Sequence, residues 1–291
     1  MIYRIMNKIF IVCGPTATGK TKLALELAKK FNGELVSADS RQVYKGLDAL
    51  TGKDRSEDIP IRLYDVVDVG QEFSVAHFVR LAQIAIGDIY KRVRLPIIVG
   101  GTGFYLQALT TSIDTLTVPP NWELRKTLSS MPIEELQQRL QKVNQDRWDG
   151  MNDSDRKNSR RLIRAIEVAL FTKQRSPSGR QYDALWIGLT APQAVLKERI
   201  ARRISERFGK AVTEARKGLP PILGSDPLLL YKAGKITKQE AVDKWLQAEY
   251  QYAKRQRLWF RKQKEIHWFD VQHTDYHRDV EELVREWYTK P

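Results

Sequence analysis

The chain has 291 residues, with 49 Lys and Arg against 35 Asp and Glu, a net charge of +14, 42% hydrophobic residues and a single cysteine. The apolar share excludes a disordered chain, and the lone Cys13 excludes a disulfide framework or a multi-cysteine zinc site, so a reducing cytoplasmic setting is expected and any metal would take oxygen ligands. No apolar stretch approaches the roughly 18–20 residues of a bilayer span, and the charges spread through MIYRIMNKIF are unlike a leader, so an unprocessed soluble chain with no membrane partner is expected.

The positive surplus attracts polyanions, nucleic acid first, because each neutralised phosphate releases a counterion. In chain order, residues 9–13 predict a buried strand and Gly14 to Thr21 a glycine loop; Leu23, Ala24, Leu27, Ala28 and Phe31 then recur at helical spacing. Further apolar runs at 34–37, 63–69, 95–99 and 184–189 predict strands, alternating with helical patterns such as 75–91. Strands separated by helices predict an α/β fold, a parallel sheet with helices on both faces. The alternation stops over 116–183, where a polar, helical stretch follows Pro119-Pro120, with its clearest helices at 134–143 and 160–171. This predicts an inserted helical subdomain between two segments of the core, 1–115 and 184–291. A long basic helix from about Pro192, a Gly- and Pro-rich loop over 218–227, a C-terminal helix and a last strand, HWFDV, complete the predicted order.

The loop Gly14-Pro15-Thr16-Ala17-Thr18-Gly19-Lys20-Thr21 satisfies G-x-x-x-x-G-K-[ST] between a strand and a helix, the context that motif requires. Its glycines let backbone N–H groups close around phosphate oxygens, and the helix N-terminus adds partial positive charge. Lys20 is expected on the outer phosphate and Thr21 on Mg²⁺. An ATPase would add a second apolar strand ending in Asp, whereas residues 95–99 run into Gly100-Gly101-Thr102-Gly103. Asp39, after the strand at 34–37, stands at the carboxyl edge where such folds bind ligands; metal support, helix capping and general-base catalysis are all open to it.

The blocks GPTATGKT, SADSRQVYKGLD, LPIIVGGTGFYLQAL, RRLIRAIEV and YAKRQRLWFR, in that order over nearly the whole chain, resemble the motif set of tRNA dimethylallyltransferases. The resemblance implies transfer of a dimethylallyl group from its diphosphate to N6 of the adenosine beside the anticodon, position 37. The phosphate loop would then hold dimethylallyl diphosphate and not ATP. Asp39 matches the family's general base, Thr102 its hydroxyl near the target base, and Ser40, Arg41 and Gln42 its tRNA-contacting run. Arg125 matches a basic tRNA contact, and Arg199 with Arg203, four residues apart on one helix face, a diphosphate clamp. Lys20 and Arg203 would stabilise the departing diphosphate.

The resemblance also gives Arg160, Arg161, Leu162, Ile163 and Arg164 a tRNA role. Arg156, Lys157, Arg160, Arg161 and Arg164 crowd a helix start, where positive charge opposes the helix dipole unless an anion is near. Lys254, Arg257 and Arg261 lie in a C-terminal basic run, interleaved with aromatics that include Trp245, Tyr252 and Trp259; the charges are expected on the anticodon stem-loop, the aromatics mostly in the core. His77 is expected to be structural. Residues 218–231 depart from the family pattern, and the chain ends soon after its last strand without the zinc-finger extension of some eukaryotic relatives, so a bacterial-type enzyme is the nearer analogy; a monomer is expected. Two rivals share features of the sequence: a kinase using ATP, and an RNA-binding protein with an idle phosphate loop.

Overall fold

The computed structural model describes residues 7–111, 113–171 and 182–290. The chain divides into two compact units, Met1–Thr111 with Arg180–Pro291, and Ser112–Gly179. The inserted unit begins and ends a few residues before the bounds that patterning predicts.

Up to the insertion the order is β1 (Lys8–Cys13), α1 (Lys20–Lys30), β2 (Gly33–Ser37), α2 (Asp48–Thr51), β3 (Ile61–Arg62), α3 (Val75–Lys91), β4 (Leu95–Val99) and α4 (Gly103–Thr110). The insertion holds α5 (Trp122–Ser129), α6 (Ile133–Val143), α7 (Gln145–Asp149), α8 (Asp153–Arg156) and α9 (Ser159–Leu170). The core resumes with β5 (Asp183–Thr190), α10 (Gln193–Glu214), α11 (Ser225–Lys232), α12 (Lys238–Phe260), β6 (Ile266–Asp270) and α13 (Tyr276–Thr289).

All strands pair in parallel in the order β3-β2-β4-β1-β5-β6. Side chains alternate across the sheet, as strand geometry requires. Phe10, Val12, Leu35 and Ile97 pack with Leu23 and Leu27 of α1 and Val280 and Val284 of α13. Ile9, Ile11, Val36 and Ile98 pack with Phe78, Ile86 and Ile89 of α3 and Leu106 of α4. Both faces are therefore covered, as the apolar runs imply. The pairing register sets up the site: Val12 and Ser37 both lie opposite Val99, so the loops after β1, β2 and β4 leave the sheet side by side.

Three expectations need correction. Residues 63–69 form no strand; β3 ends at Arg62, and Leu63 (φ 68°) and Asp65 (φ 56°) turn the chain through the left-handed region. Ion pairs hold that turn, with Asp65 accepting from Lys53 and Arg55, each at 2.6 Å. The loop at 218–227 stops early because α11 starts at Ser225, behind Gly224, where a Cβ would lie 2.5 Å from the Trp245 ring. Beyond HWFDV comes a further helix, α13, whose Val280 and Val284 were a legible stripe.

In the inserted unit, Leu128, Leu136, Leu140, Leu162 and Ile166 form a separate core. Asn121, Asn144, Asn152 and Asn158 each accept a backbone N–H in the first turn of α5, α7, α8 and α9. Such caps satisfy donors that a helix start leaves unpaired. The stretch therefore folds around its own apolar stripe and its own caps.

Candidate active site

The loop between β1 and α1 is shaped by close approaches. A Cβ on Gly14 (φ 130°) would fall 2.3 Å from the Leu189 carbonyl oxygen, so only glycine fits. Thr18 Oγ1 and Lys20 Nζ both donate to the Pro15 carbonyl, at 2.9 and 2.6 Å, closing the loop on itself. Ala17 takes φ 64° despite its Cβ, a strain typical of ligand-binding loops. Gly19 (φ 88°) opens α1 with no side-chain cap, which leaves first-turn N–H groups for an anion. Thr16, Ala17, Gly19, Lys20 and Thr21 line a cleft of about 530 Å³. Gly14, Pro15 and Thr18, expected among the phosphate contacts, are buried and shape the loop from behind. Burial first, and then the Arg203 guanidinium, bring the Lys20 pKa down to about 8, with Asp39 pulling in the opposite direction.

The loops after β2 and β4 meet backbone to backbone. A Cβ on Gly100 would lie 2.2 Å from the Ala38 carbonyl oxygen, and Thr102 N donates to that oxygen at 3.2 Å. Ser40 N donates to Thr102 Oγ1 at 3.0 Å, so the two residues fix each other beside Asp39. Arg41 N donates to Asp39 Oδ1 at 2.9 Å, and the Arg41 guanidinium stacks 4.0 Å over the Tyr252 ring. Burial pushes the Tyr252 hydroxyl pKa up, against the pull of Arg41. Gln42 accepts from Ser37 Oγ and donates to the Gly52 carbonyl, both at 3.0 Å. Its amide is therefore a brace of the loop, and the expected tRNA contact would need those bonds to break.

Helix α10 supplies the opposite wall. Arg203 donates to Gly52 O at 2.6 Å and reaches Thr16 Oγ1 at 3.4 Å, with Asp54 Oδ2 at 3.6 Å. Gly52 takes φ 63°, which favours glycine, and a Cβ there would displace the Arg203 and Arg207 guanidiniums, which it would meet at 2.6 and 2.3 Å. Arg199 lines the same cleft. Burial lowers the Arg207 pKa to about 10, and neighbouring Arg203 adds to that shift. In all, seven cationic side chains face four carboxylates around the cleft, so the space favours a multiply charged anion. Among the described residues no three His, Cys, Asp or Glu side chains form a metal cage. Mg²⁺ in this cleft would rest on the Thr21 hydroxyl and on ligand oxygens, a donor set this ion favours.

Sequence patterning missed one wall. Glu249, Tyr252 and Gln256 of α12 line the cleft; their spacing of three and four residues was the available signal. Trp245 is fully buried as expected, whereas Tyr252 belongs to the site. Trp259 packs on Gly103, where a Cβ would lie 2.1 Å from its ring. Of the basic run, Lys254 stands 4.9 Å from the Tyr250 ring, Arg257 is half-buried with an unpaired Nε, and Arg261 is exposed. His77 is structural: it forms a reciprocal capping box with Ser74.

The arginines of the inserted unit are placed differently from one another. Arg125 donates twice to Glu167, at 2.9 and 2.8 Å, and Arg164 pairs with the same carboxylate and with the carbonyls of Thr115 and Val118. Arg161 pairs with Asp155, and Arg160 is exposed. Leu162 and Ile163, included in the expected tRNA run, have side chains buried in this unit's core.

Two family models match, "IPP transferase" over residues 42–263 and "Isopentenyl transferase" over 7–62. The chain belongs to the IPP transferase family. It is 37% identical to tRNA dimethylallyltransferase 1 of Geotalea uraniireducens, over 95% of this chain and 97% of that one. It is 36% identical to the tRNA dimethylallyltransferase of Limosilactobacillus reuteri, over 98% and 100%. Among solved structures, the tRNA isopentenylpyrophosphate transferase of Bacillus halodurans aligns with a TM-score of 0.72 at 32% identity, covering 97% of each chain. A eukaryotic dimethylallyltransferase shares the fold, with a TM-score of 0.82 at 24% identity over 96% of this chain and 78% of that one.

Proposed function

We propose that this IPP transferase family member is a tRNA dimethylallyltransferase, joining the allylic carbon of dimethylallyl diphosphate to N6 of adenosine 37 beside the anticodon. The observation that carries this reading is the shared cleft: a phosphate loop and an arginine wall on one side, and the Asp39 carboxylate on the same cavity surface. In the reaction the N6–carbon bond forms as the carbon–oxygen bond to diphosphate breaks. Asp39, held by Arg41 N, takes the N6 proton as the amine attacks. An exocyclic amine is a weak nucleophile, so removal of that proton lowers the barrier. Lys20, Arg199 and Arg203 stabilise the charge that develops on the departing diphosphate. Thr102, fixed by Ser40, would orient the base. Mg²⁺ would neutralise further diphosphate charge, held through Thr21.

The target adenosine is stacked in the anticodon loop and must be extruded, at a cost of a few kcal/mol. Arg160, Lys254 and Arg261 are exposed or half-exposed cations suited to the phosphates of the anticodon stem-loop. A monomer acting on cytoplasmic tRNA completes the reading; no helix among the described residues is long and apolar enough to cross a membrane. The test is transfer of label from dimethylallyl diphosphate to unmodified tRNA with Mg²⁺, alongside ATP turnover. Label at adenosine 37 without ATP turnover is expected. ATP turnover without label would make the protein a kinase.

A further inference from the structure

Gln256 of α12 is buried, 5% exposed, and both ends of its amide are committed. Its Oε1 accepts from Thr16 N at 2.9 Å, and its Nε2 donates to the Gly101 carbonyl at 3.0 Å. The two partners belong to loops from different strands. Thr16 is in the phosphate loop, and its side chain also meets Arg203; Gly101 immediately precedes Thr102, which is tied to Ser40 beside Asp39. A Cβ on Gly101 would stand 2.1 Å from Gln256 Nε2, so the missing side chain at 101 is what lets the amide in. Thr16 N is thereby withdrawn from phosphate binding, and the bond it makes has another purpose.

We infer that Gln256 is a positioning residue that holds the donor cradle in register with the Asp39 and Thr102 edge, so its loss slows the chemical step more than it weakens either substrate. The inference rests on the transferase reading. Attack on an allylic carbon needs nitrogen and carbon about 3–3.5 Å apart and aligned, and a misplacement near 1 Å costs about 100-fold. Hydrogen bonds from Arg203 through Thr16 and Gln256 to Gly101, which is bonded along the backbone to Thr102, are a direct route by which donor and acceptor loops keep their spacing. Satisfying an N–H and a C=O together takes a group with both an acceptor and a donor, and the planar amide presents one on each arm at this reach. A carboxylate accepts from Thr16 N but faces the Gly101 carbonyl without a proton, whereas a protonated carboxyl serves both. Gln256→Glu therefore makes the brace dependent on pH.

The experiment measures single-turnover transfer, donor KM, tRNA affinity and Tm for the wild type, Gln256→Ala and Gln256→Glu, from acid to neutral pH. For Gln256→Ala the single-turnover rate is expected to fall about 10–100-fold, with donor KM and tRNA affinity changing only about threefold or less. For Gln256→Glu the rate relative to wild type should rise as pH falls through the carboxyl range at temperatures where both proteins are fully folded by Tm, whereas a purely structural role would move Tm with pH and leave the folded enzyme's rate alone. An unchanged rate, a defect confined to KM, or a Gln256→Glu ratio flat with pH would overturn the inference. Should Gln256→Ala fail to fold, the pH ratio of Gln256→Glu decides. A wild type that transfers no label would instead defeat the transferase reading itself.

Discussion

Arginine is used differently around the core cleft and in the inserted unit. Around the core cleft, Arg203 and Arg207 make their short hydrogen bonds to carbonyls, those of Gly52, Ala49 and Arg203 itself, and the nearest carboxylate to Arg203, Asp54, stands at 3.6 Å. Carbonyls satisfy a guanidinium without cancelling its charge, so seven cations against four carboxylates leave the cleft positive. In the inserted unit, Arg125 and Arg164 share the Glu167 carboxylate and Arg161 takes Asp155. There three guanidiniums meet two carboxylates, so most of the charge is offset and the arginines hold helices together. A count of basic residues along the sequence does not separate these uses; what stands opposite each guanidinium does.

The largest effects should come from the core. Asp39→Asn keeps an oxygen that can accept from Arg41 N but loses the base, so single-turnover transfer should drop about 10²–10⁴-fold with donor affinity retained. Lys20→Ala should lower kcat about 10²–10³-fold, the scale of losing one preorganised charge contact in a transition state, and should also raise donor KM. If Arg125→Ala matched either loss without destabilising the insertion, the contrast between the units would collapse.

The phosphate loop and most strands were legible because each needs a local signature: an apolar run, two glycines, a lysine. Asp39 was legible as a position at a strand end, and its role came from resemblance. The α12 wall was not, because Tyr252 and Gln256 read as part of a basic, aromatic helix whose inward face only tertiary packing defines. The turn at 63–69 misled because an apolar run predicts a strand, while the ion pairs of Asp65 with Lys53 and Arg55 impose left-handed backbone there. The tRNA roles of Arg125 and Arg164 came from resemblance; that both guanidiniums rest on Glu167 was not legible, because Arg125 lies 42 positions from that carboxylate and only folding joins them.

The next effect sharpens the inserted side of the comparison. Glu167 is buried, 3% exposed, and also accepts from Asn121 N. Glu167→Ala should cost about 3 kcal/mol, since it strands two guanidiniums, and limited proteolysis should cut the insertion while donor binding by the core persists. Hydrogen bonds from Arg125, Asn121 and Arg164 hold this carboxyl below its ordinary value against the opposing effect of burial. Its contribution is therefore full above the unfolded glutamate pKa of 4.5 and is lost as pH falls through the lower folded value; thermal melts at acid pH should show the wild type approaching the variant.

A smaller effect concerns the lysine in the cleft. With its pKa near 8 in the free protein, Lys20 loses its proton as pH rises through that value, so donor affinity should fall by up to about tenfold per pH unit above it. Lys20→Arg, charged throughout, should flatten that limb even if it binds less well. The linkage for folding has the opposite sign: between about 8 and the ordinary 10.5 the unfolded chain holds this proton more tightly, and stability gains from Lys20 as pH rises. A donor KM that stays flat across this range would return Lys20 to an ordinary surface lysine.

The smallest effect tests where the inserted unit keeps free charge. Arg160 is exposed, one residue before Arg161, which is neutralised by Asp155. If Arg160 meets a tRNA phosphate, Arg160→Ala should lower the slope of log affinity against log salt by about 0.7–0.9 and weaken all tRNA sequences alike. Removing the pair together, Arg161→Ala with Asp155→Ala, leaves the net charge unchanged and should leave the slope where it was. Filter binding of one unmodified tRNA over a salt series separates the two. Equal losses would mean that the Asp155 pair opens on binding and both arginines reach phosphate; no loss from Arg160→Ala would mean that this end of α9 faces away from RNA, leaving the basic run of α12 to carry the electrostatic attraction.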